Sequence, residues 1–189
     1  METAGARRDL VPSSAIPLAY FGLAHAGLAA ALGVLAIRPE LPGGFFYHPK
    51  MVALVHLVTI AWLTGSILGA FHIVAPLALR LPMPVRRAEW AGFAAFAAGA
   101  IGMVAHFWIG TYDGMAWSAG LVTAAIAWVG FRAARGMRDS AAPWPVTLHV
   151  ALAFINILAA AVIGILIGLD RSRGFLGWSS LGGTFAHAH

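Results

Sequence analysis

Apolar residues along the chain fall into five long runs, and most charged residues and prolines lie between them. A helix needs roughly 18–20 apolar residues to cross the hydrocarbon core of a bilayer, and the runs approach or exceed that length. The pattern predicts an all-α integral membrane protein with five transmembrane helices. The predicted helices span residues 16–37, 51–79, 90–109, 115–131 and 146–169. In this interpretation residues 1–15 form an N-terminal tail, residues 16–169 form the bundle, and residues 170–189 form a C-terminal segment.

The composition favours a membrane location. Of the 189 residues, 60% are hydrophobic and 10% are charged, whereas about a quarter of the residues in a soluble domain are charged. The absence of cysteine excludes disulfides, iron–sulfur clusters, thiolate zinc sites and cysteine-attached heme. The net charge of +5 comes from arginines that flank the apolar runs, so it indicates membrane topology and no nucleic-acid partner.

The distribution of lysine and arginine predicts the orientation in the membrane. Eight of the 12 basic residues lie in the N-terminal tail and in the loops that share its side. Because basic loops are retained in the cytoplasm, the N-terminus is predicted to be cytoplasmic in a bacterial-type inner membrane. The first apolar run is too long for a signal peptide and holds a histidine, so we expect an uncleaved helix. With five spans, the C-terminal segment then lies outside.

Eight histidines are the main candidates for chemistry. Several neutral imidazoles in an apolar site, without cysteine or paired carboxylates, fit heme b, whose iron takes axial imidazole nitrogen. Copper bound by imidazole is the second possibility, and zinc hydrolysis is poorly supported because no H-E-x-x-H motif is present. For each histidine, a hydrogen bond to a carbonyl across a helix interface is the competing interpretation. The histidines predicted near the outer side are His48, His56, His106, His187 and His189.

Helical geometry limits which histidines can act together. His56 and His72 are sixteen residues apart, so on one α-helix they differ by about 160° and face opposite sides. A four-helix cytochrome b carries two histidines of one helix on the same face, and this pair does not fit that arrangement. If His187 and His189 begin a helix, they diverge by about 200° and could serve two different cofactors.

Two stretches resemble a known family. They are "VHLVTIAWLTGSILGAFHIVAP" (residues 55–76) and "GGTFAHAH" (residues 182–189). They resemble the heme–copper oxidase subunit I superfamily, in its C-type oxidase, nitric oxide reductase and NnrS-like branches. The resemblance implies that His187 is the proximal ligand of a high-spin heme. It also implies that His189 and His56 are the axial ligands of a low-spin heme.

The chain also departs from that family. A catalytic subunit has many more helices and copper-ligating histidines that include an adjacent pair, or extra glutamates in the reductases. This chain has no His-His pair, so it is not a complete oxidase or reductase on its own, and enzymatic activity stays open. We expect the N-terminal part of a larger oxidase-like protein, cut within or just before a sixth helix. A short natural protein with a coincidental tail is the alternative.

The leading hypothesis is therefore a heme b-binding membrane protein that transfers electrons or handles a diatomic gas (O2 or NO). His56 is the predicted axial ligand, His189 or His106 the second one, and His187 faces a second heme or a metal such as copper. Arg38, Lys50 or Arg173 on the outer side could pair with heme propionates, although an ordinary interfacial charge is the favoured interpretation of each. The alternatives are a cofactor-free structural subunit of a larger membrane complex, and a transporter or proton channel. Besides the bilayer, the expected partners are other membrane subunits or further copies of the chain.

Overall fold

The structure is a computed structural model that describes residues 12–45, 47–138, 140 and 142–174. Within these ranges it contains five long helices and no strand. Each helix is long and apolar enough to cross a membrane, which confirms the predicted all-α fold with five spans. His187 and His189 lie outside the described residues. The helices are α1 (Ala15–Ile37), α2 (Pro49–Ala78), α3 (Arg87–Ile109), α4 (Met115–Arg138) and α5 (Trp144–Arg173).

Two helices extend well beyond the apolar runs that predict them. α4 continues past residue 131 to Arg138, and α5 continues past residue 169 to Arg173. The last turns of both helices carry arginines, whose long side chains can place their charge at the membrane interface. The helix can therefore continue beyond the end of the apolar run. α3 and α5 end at Gly110 and Gly174, which adopt the left-handed conformation with φ of 74° and 62°.

α2 is not a uniform α-helix. Its middle part, Leu57–Thr64, is a π-helix between two α-helical parts, Pro49–His56 and Gly65–Ala78. The Thr64 hydroxyl donates to the carbonyl of Thr59, five residues earlier, over 2.8 Å. Such wide turns are rare and occur frequently at functional sites. The hydrophobic pattern predicts a regular helix here. It does not show which carbonyl each backbone N–H bonds to, so the π-helical part could not be recognised from the sequence.

The helices pack around small residues. α1 lies along α2, α3 pairs with α4, and α5 packs on α4. At Gly27 an added Cβ would lie 2.7 Å from the Cβ of Ala61, so α1 approaches the π-helical part of α2 very closely. At Gly99 an added Cβ would lie 2.6 Å from the carbonyl oxygen of Ser118, so α3 and α4 are equally close. These contacts are the small-residue packing expected between helices in lipid.

The five helices differ in how much they are covered. The most apolar 18-residue window of α5 has no buried residue, whereas that of α4 has the largest buried share of the five. α2 and α5 touch where Phe71 meets Phe154 edge-on, with ring centroids 5.4 Å apart. Towards the start of α2 and the end of α5 the two helices separate. We call that side of the bundle the Tyr47 side and the opposite side the Glu89 side.

Candidate functional site

A cavity of about 870 Å³ lies where α2 and α5 separate, on the Tyr47 side of the bundle. α2 lines one wall between residues 51 and 64, and α5 lines the other between residues 157 and 171. α3 and α4 form the floor through Met103, Phe107, Met115 and Val122, among others. The volume lies in the range of pockets that hold cofactors and drug-sized molecules.

His56 lies on the α2 wall of this cavity. Its Nδ1 lies 2.8 Å from the carbonyl oxygen of Val52, so the neutral ring donates from Nδ1 and carries its lone pair on Nε2. Metal-ligating histidines are commonly oriented by such a bond. His25, His72 and His149 make the same bond to the carbonyl four residues earlier. The bond therefore sets the tautomer, and what distinguishes His56 is its place on the cavity wall.

The walls around His56 are predominantly apolar. Phe107 packs against the imidazole with ring centroids 4.6 Å apart. The hydroxyl of Thr59 donates to the carbonyl of Val55 over 2.8 Å, and that of Thr64 is bonded within the π-helical part as described. Their donor hydrogens are thus used by the backbone. A ligand in this cavity would meet hydrocarbon, aromatic rings, the thioethers of Met51, Met103 and Met115, and one imidazole.

Polar groups gather at the mouth of the cavity. Tyr47, Tyr112, Asp170 and Arg171 line this end. The Arg171 guanidinium lies over the Tyr112 ring at 5.4 Å, and that ring meets Phe107 edge-on at 6.1 Å. A continuous row of side chains thus connects Arg171 with the aromatic ring that contacts His56.

The basic residues that the sequence suggests as partners of heme propionates, Arg38, Lys50 and Arg173, do not line the cavity. Arg38 binds Glu40, with 2.5 Å between Nε and Oε1, and Lys50 lies over the Trp108 ring at 5.4 Å. Arg173 is not part of the cavity wall. Sequence reasoning missed Arg171, although a signal was available. Residues 164, 167, 168 and 171 recur at helical spacing, and all four line the cavity.

His106 does not lie on the cavity wall, although Phe107 beside it does. Its ring faces the turn before α4, and a Cβ added at Gly114 would clash with its Nε2. Its Nδ1 is buried and has no hydrogen-bond partner in the described part of the chain. His106 therefore lies outside the cavity whose wall carries His56. No group of three or more His, Cys, Asp or Glu side chains within residues 12–45, 47–138 and 142–174 is arranged to hold a metal ion.

A second buried polar group lies on the Glu89 side. The Glu89 side chain is only 3% exposed and forms an ion pair with Arg132, which joins the start of α3 to the end of α4. Glu89 also accepts a hydrogen bond from the backbone N–H of Arg86 over 2.9 Å. Nearby, the buried His72 stacks on Tyr20 of α1 with centroids 5.6 Å apart. His72 thus packs on Tyr20 of α1, whereas His56 packs on Phe107 of α3. The angle of about 160° expected between them holds for a regular α-helix, and the π-helical part of α2 interrupts that regularity.

Comparison of the chain with protein-family models, curated proteins and solved structures finds no match. Five apolar helices of spanning length define a multi-pass α-helical membrane protein. Its candidate site is the apolar cavity that carries His56 and opens between α2 and α5.

Proposed function

We propose that this chain is a heme b-binding membrane protein related to heme–copper oxidase subunit I, which transfers electrons or handles O2 or NO. The observation that carries the proposal is the position of His56 on the wall of the apolar cavity. Its Nδ1 donates to the Val52 carbonyl, so Nε2 would be the nitrogen that ligates iron. Heme prefers apolar surroundings, and its iron takes an axial histidine.

The residues present fit heme in chemistry. His56 would ligate the iron, Phe107 would pack beside the ring, and Arg171 would bind a propionate through a charge-assisted hydrogen bond. Bound there, heme would supply one-electron redox chemistry or a site for a diatomic gas. The chain's own contribution is to exclude water from the ring and to hold the imidazole in one tautomer.

The second axial ligand remains a prediction. His189 is the candidate from the resemblance, and it lies outside the described residues. His106 does not line the cavity, which makes it the weaker of the two candidates. A copper site is less favoured, because the described residues bring no other histidine to the cavity wall besides His56.

The test is an optical spectrum of detergent-purified protein, made with an adequate heme supply and recorded reduced minus oxidised. We expect a heme b alpha band that His56→Leu abolishes. His25→Leu is the matched control, because His25 is exposed in α1 and makes the same Nδ1 bond, 2.7 Å from the Phe21 carbonyl, yet lies outside the cavity. Absence of a Soret band in the unmodified protein would overturn the proposal, and so would equal heme loss in both variants.

A cofactor-free structural subunit is the second candidate. The apolar window of α5, in which no residue is buried, favours it, because such a surface suits contact with other membrane helices. In that case His56→Leu would leave the assembly and thermal stability of the protein nearly unchanged, and no pigment would be purified with either form.

We also propose that the N-terminus is cytoplasmic, in a bacterial-type inner membrane. The support is that Arg80, Arg86, Arg87, Arg135 and Arg138 all lie on the Glu89 side, at the ends of α2, α3 and α4. Fusions of a periplasm-active reporter enzyme to the loop at residue 113 should be active, and fusions at residue 83 should be inactive. The reverse pattern would contradict this orientation.

A further inference from the structure

Asn156 occupies an unusual position on α5. It is exposed, and its carboxamide has no hydrogen-bond partner among the described residues. It is residue 13 of the 30 in α5, which places it roughly 18 Å from the helix start and near the middle of the bilayer. A carboxamide facing lipid at that depth lacks the hydrogen bonds that water would supply, and this is costly. The position therefore needs a polar partner.

The surroundings of Asn156 have the pattern of a helix–helix seam. Residues that recur with a spacing of three and four lie on one stripe of α5, and this is the repeat by which two helices pack side by side. All are exposed except Ile163, which is partly exposed. The Asn156 stripe consists of His149, Leu152, Asn156, Ala159, Ile163 and Leu166.

We propose that the Asn156 stripe is the interface with a second copy of this chain, in a parallel pair of α5 helices. A carboxamide carries both donor and acceptor, so two copies of Asn156 can exchange hydrogen bonds across a twofold axis. All copies share one orientation in the bilayer, which makes the pair parallel. A single asparagine in the apolar seam of such a pair fixes its register.

The proposal is independent of heme, because it concerns a face of α5 outside the cavity wall. Ala160 and Ile167, which line the cavity, lie beside the stripe at helical spacing. A second α5 on the stripe would therefore also narrow the opening of the cavity towards lipid.

Single-cysteine crosslinking tests the pair directly, because the chain has no cysteine of its own. We would place one cysteine at a time in the full chain, reconstitute it in liposomes and apply a mild oxidant. Leu152→Cys, Ala159→Cys and Leu166→Cys should form disulfide-linked dimers. Ile155→Cys and Val162→Cys are the matched controls. Both positions are exposed on α5, at 60% and 50%, and lie about 70° and 90° around the helix from the centre of the stripe.

The second measurement is the dimer dissociation constant, obtained from fluorescence energy transfer between labelled copies at increasing dilution in lipid. Asn156→Leu should weaken the pair by about 3- to 20-fold, the range for interhelical hydrogen bonds in membranes. Asn156→Gln should retain part of the affinity. Equal crosslinking on and off the stripe would overturn the proposal. So would a chain that stays monomeric, which would leave the stripe to lipid or to a different protein.

Discussion

Gly99→Ala probes a close approach between the backbones of α3 and α4. An added Cβ would lie 2.6 Å from the Ser118 carbonyl oxygen and 2.8 Å from both N and Cγ2 of Val122. The first distance falls 0.8 Å short of 3.4 Å, where ordinary contact begins. Two of these three atoms belong to the backbone of α4, so a change of rotamer cannot relieve the overlap. The helices must separate, and the cavity floor, which includes Met103 and Val122, must move with them.

Overpacking of this kind costs about 1–3 kcal/mol. Alanine is intrinsically better than glycine inside a helix by about 1 kcal/mol, which offsets part of that cost. The matched control is therefore Gly120→Ala in α4, where nothing lies within 4 Å of the added Cβ. Both variants gain the same helix propensity, so the difference between them isolates the packing term. We expect Gly99→Ala to be less stable than Gly120→Ala by about 1–3 kcal/mol.

The measurement is the free energy of unfolding in mixed micelles, titrated with a denaturing detergent and followed by a helix-sensitive signal. A difference below about 0.5 kcal/mol, the usual effect of a substitution away from packing contacts, would refute the inferred contact. A loss of stability in Gly120→Ala as large as that in Gly99→Ala would refute the reasoning in another way. It would show that glycine at these positions does not act through the α3–α4 contact.

Two further predictions concern charged pairs. Glu89→Gln should destabilise the bundle by about 3 kcal/mol, because it leaves the largely buried Arg132 charge without its partner. The double variant that also carries Arg132→Gln should recover part of that loss in the same unfolding assay, and a purely additive loss would contradict the pairing. In the exposed loop after α1, the Arg38 hydrogen bond lowers the pKa of Glu40 below its ordinary value of 4.5. The contact should therefore persist above pH 4.5 and be lost as the pH falls through the lowered pKa. A carboxyl shift titration by NMR should show a midpoint that rises towards 4.5 in Arg38→Gln, and an unchanged midpoint would contradict the effect.

The five spans were predictable because a helix that crosses lipid must be long and apolar, and each of the five appears in the sequence as a long apolar run. The helix ends were less predictable, since the last turns of α4 and α5 carry arginines that hydropathy assigns to loops. The burial of Glu89 was missed for the same reason. In the sequence it belongs to a charged segment, and only the packing of α3 on α4 brings it to Arg132.

The candidate site was predictable in part. His56 stands out in the sequence as an imidazole within an apolar run, and the structure places it on the cavity wall. Which helices separate to form that cavity could not be predicted, because helical periodicity gives the faces of a helix and not its neighbours. The position of His106 outside the cavity, and the presence of Arg171 at its mouth, both depend on that arrangement.

The unequal covering of α4 and α5 has a consequence for biosynthesis. The helix with the largest buried share, α4, is also the least apolar of the five, whereas α5 is the most apolar and has no buried residue in its apolar window. A nascent α5 can therefore move from the translocation channel into lipid without a partner helix. α4 gains less from lipid alone and enters most favourably once α3 is in place to receive it. Integration of the chain should thus be least efficient at its fourth segment, and α3 acts as the docking partner that completes it.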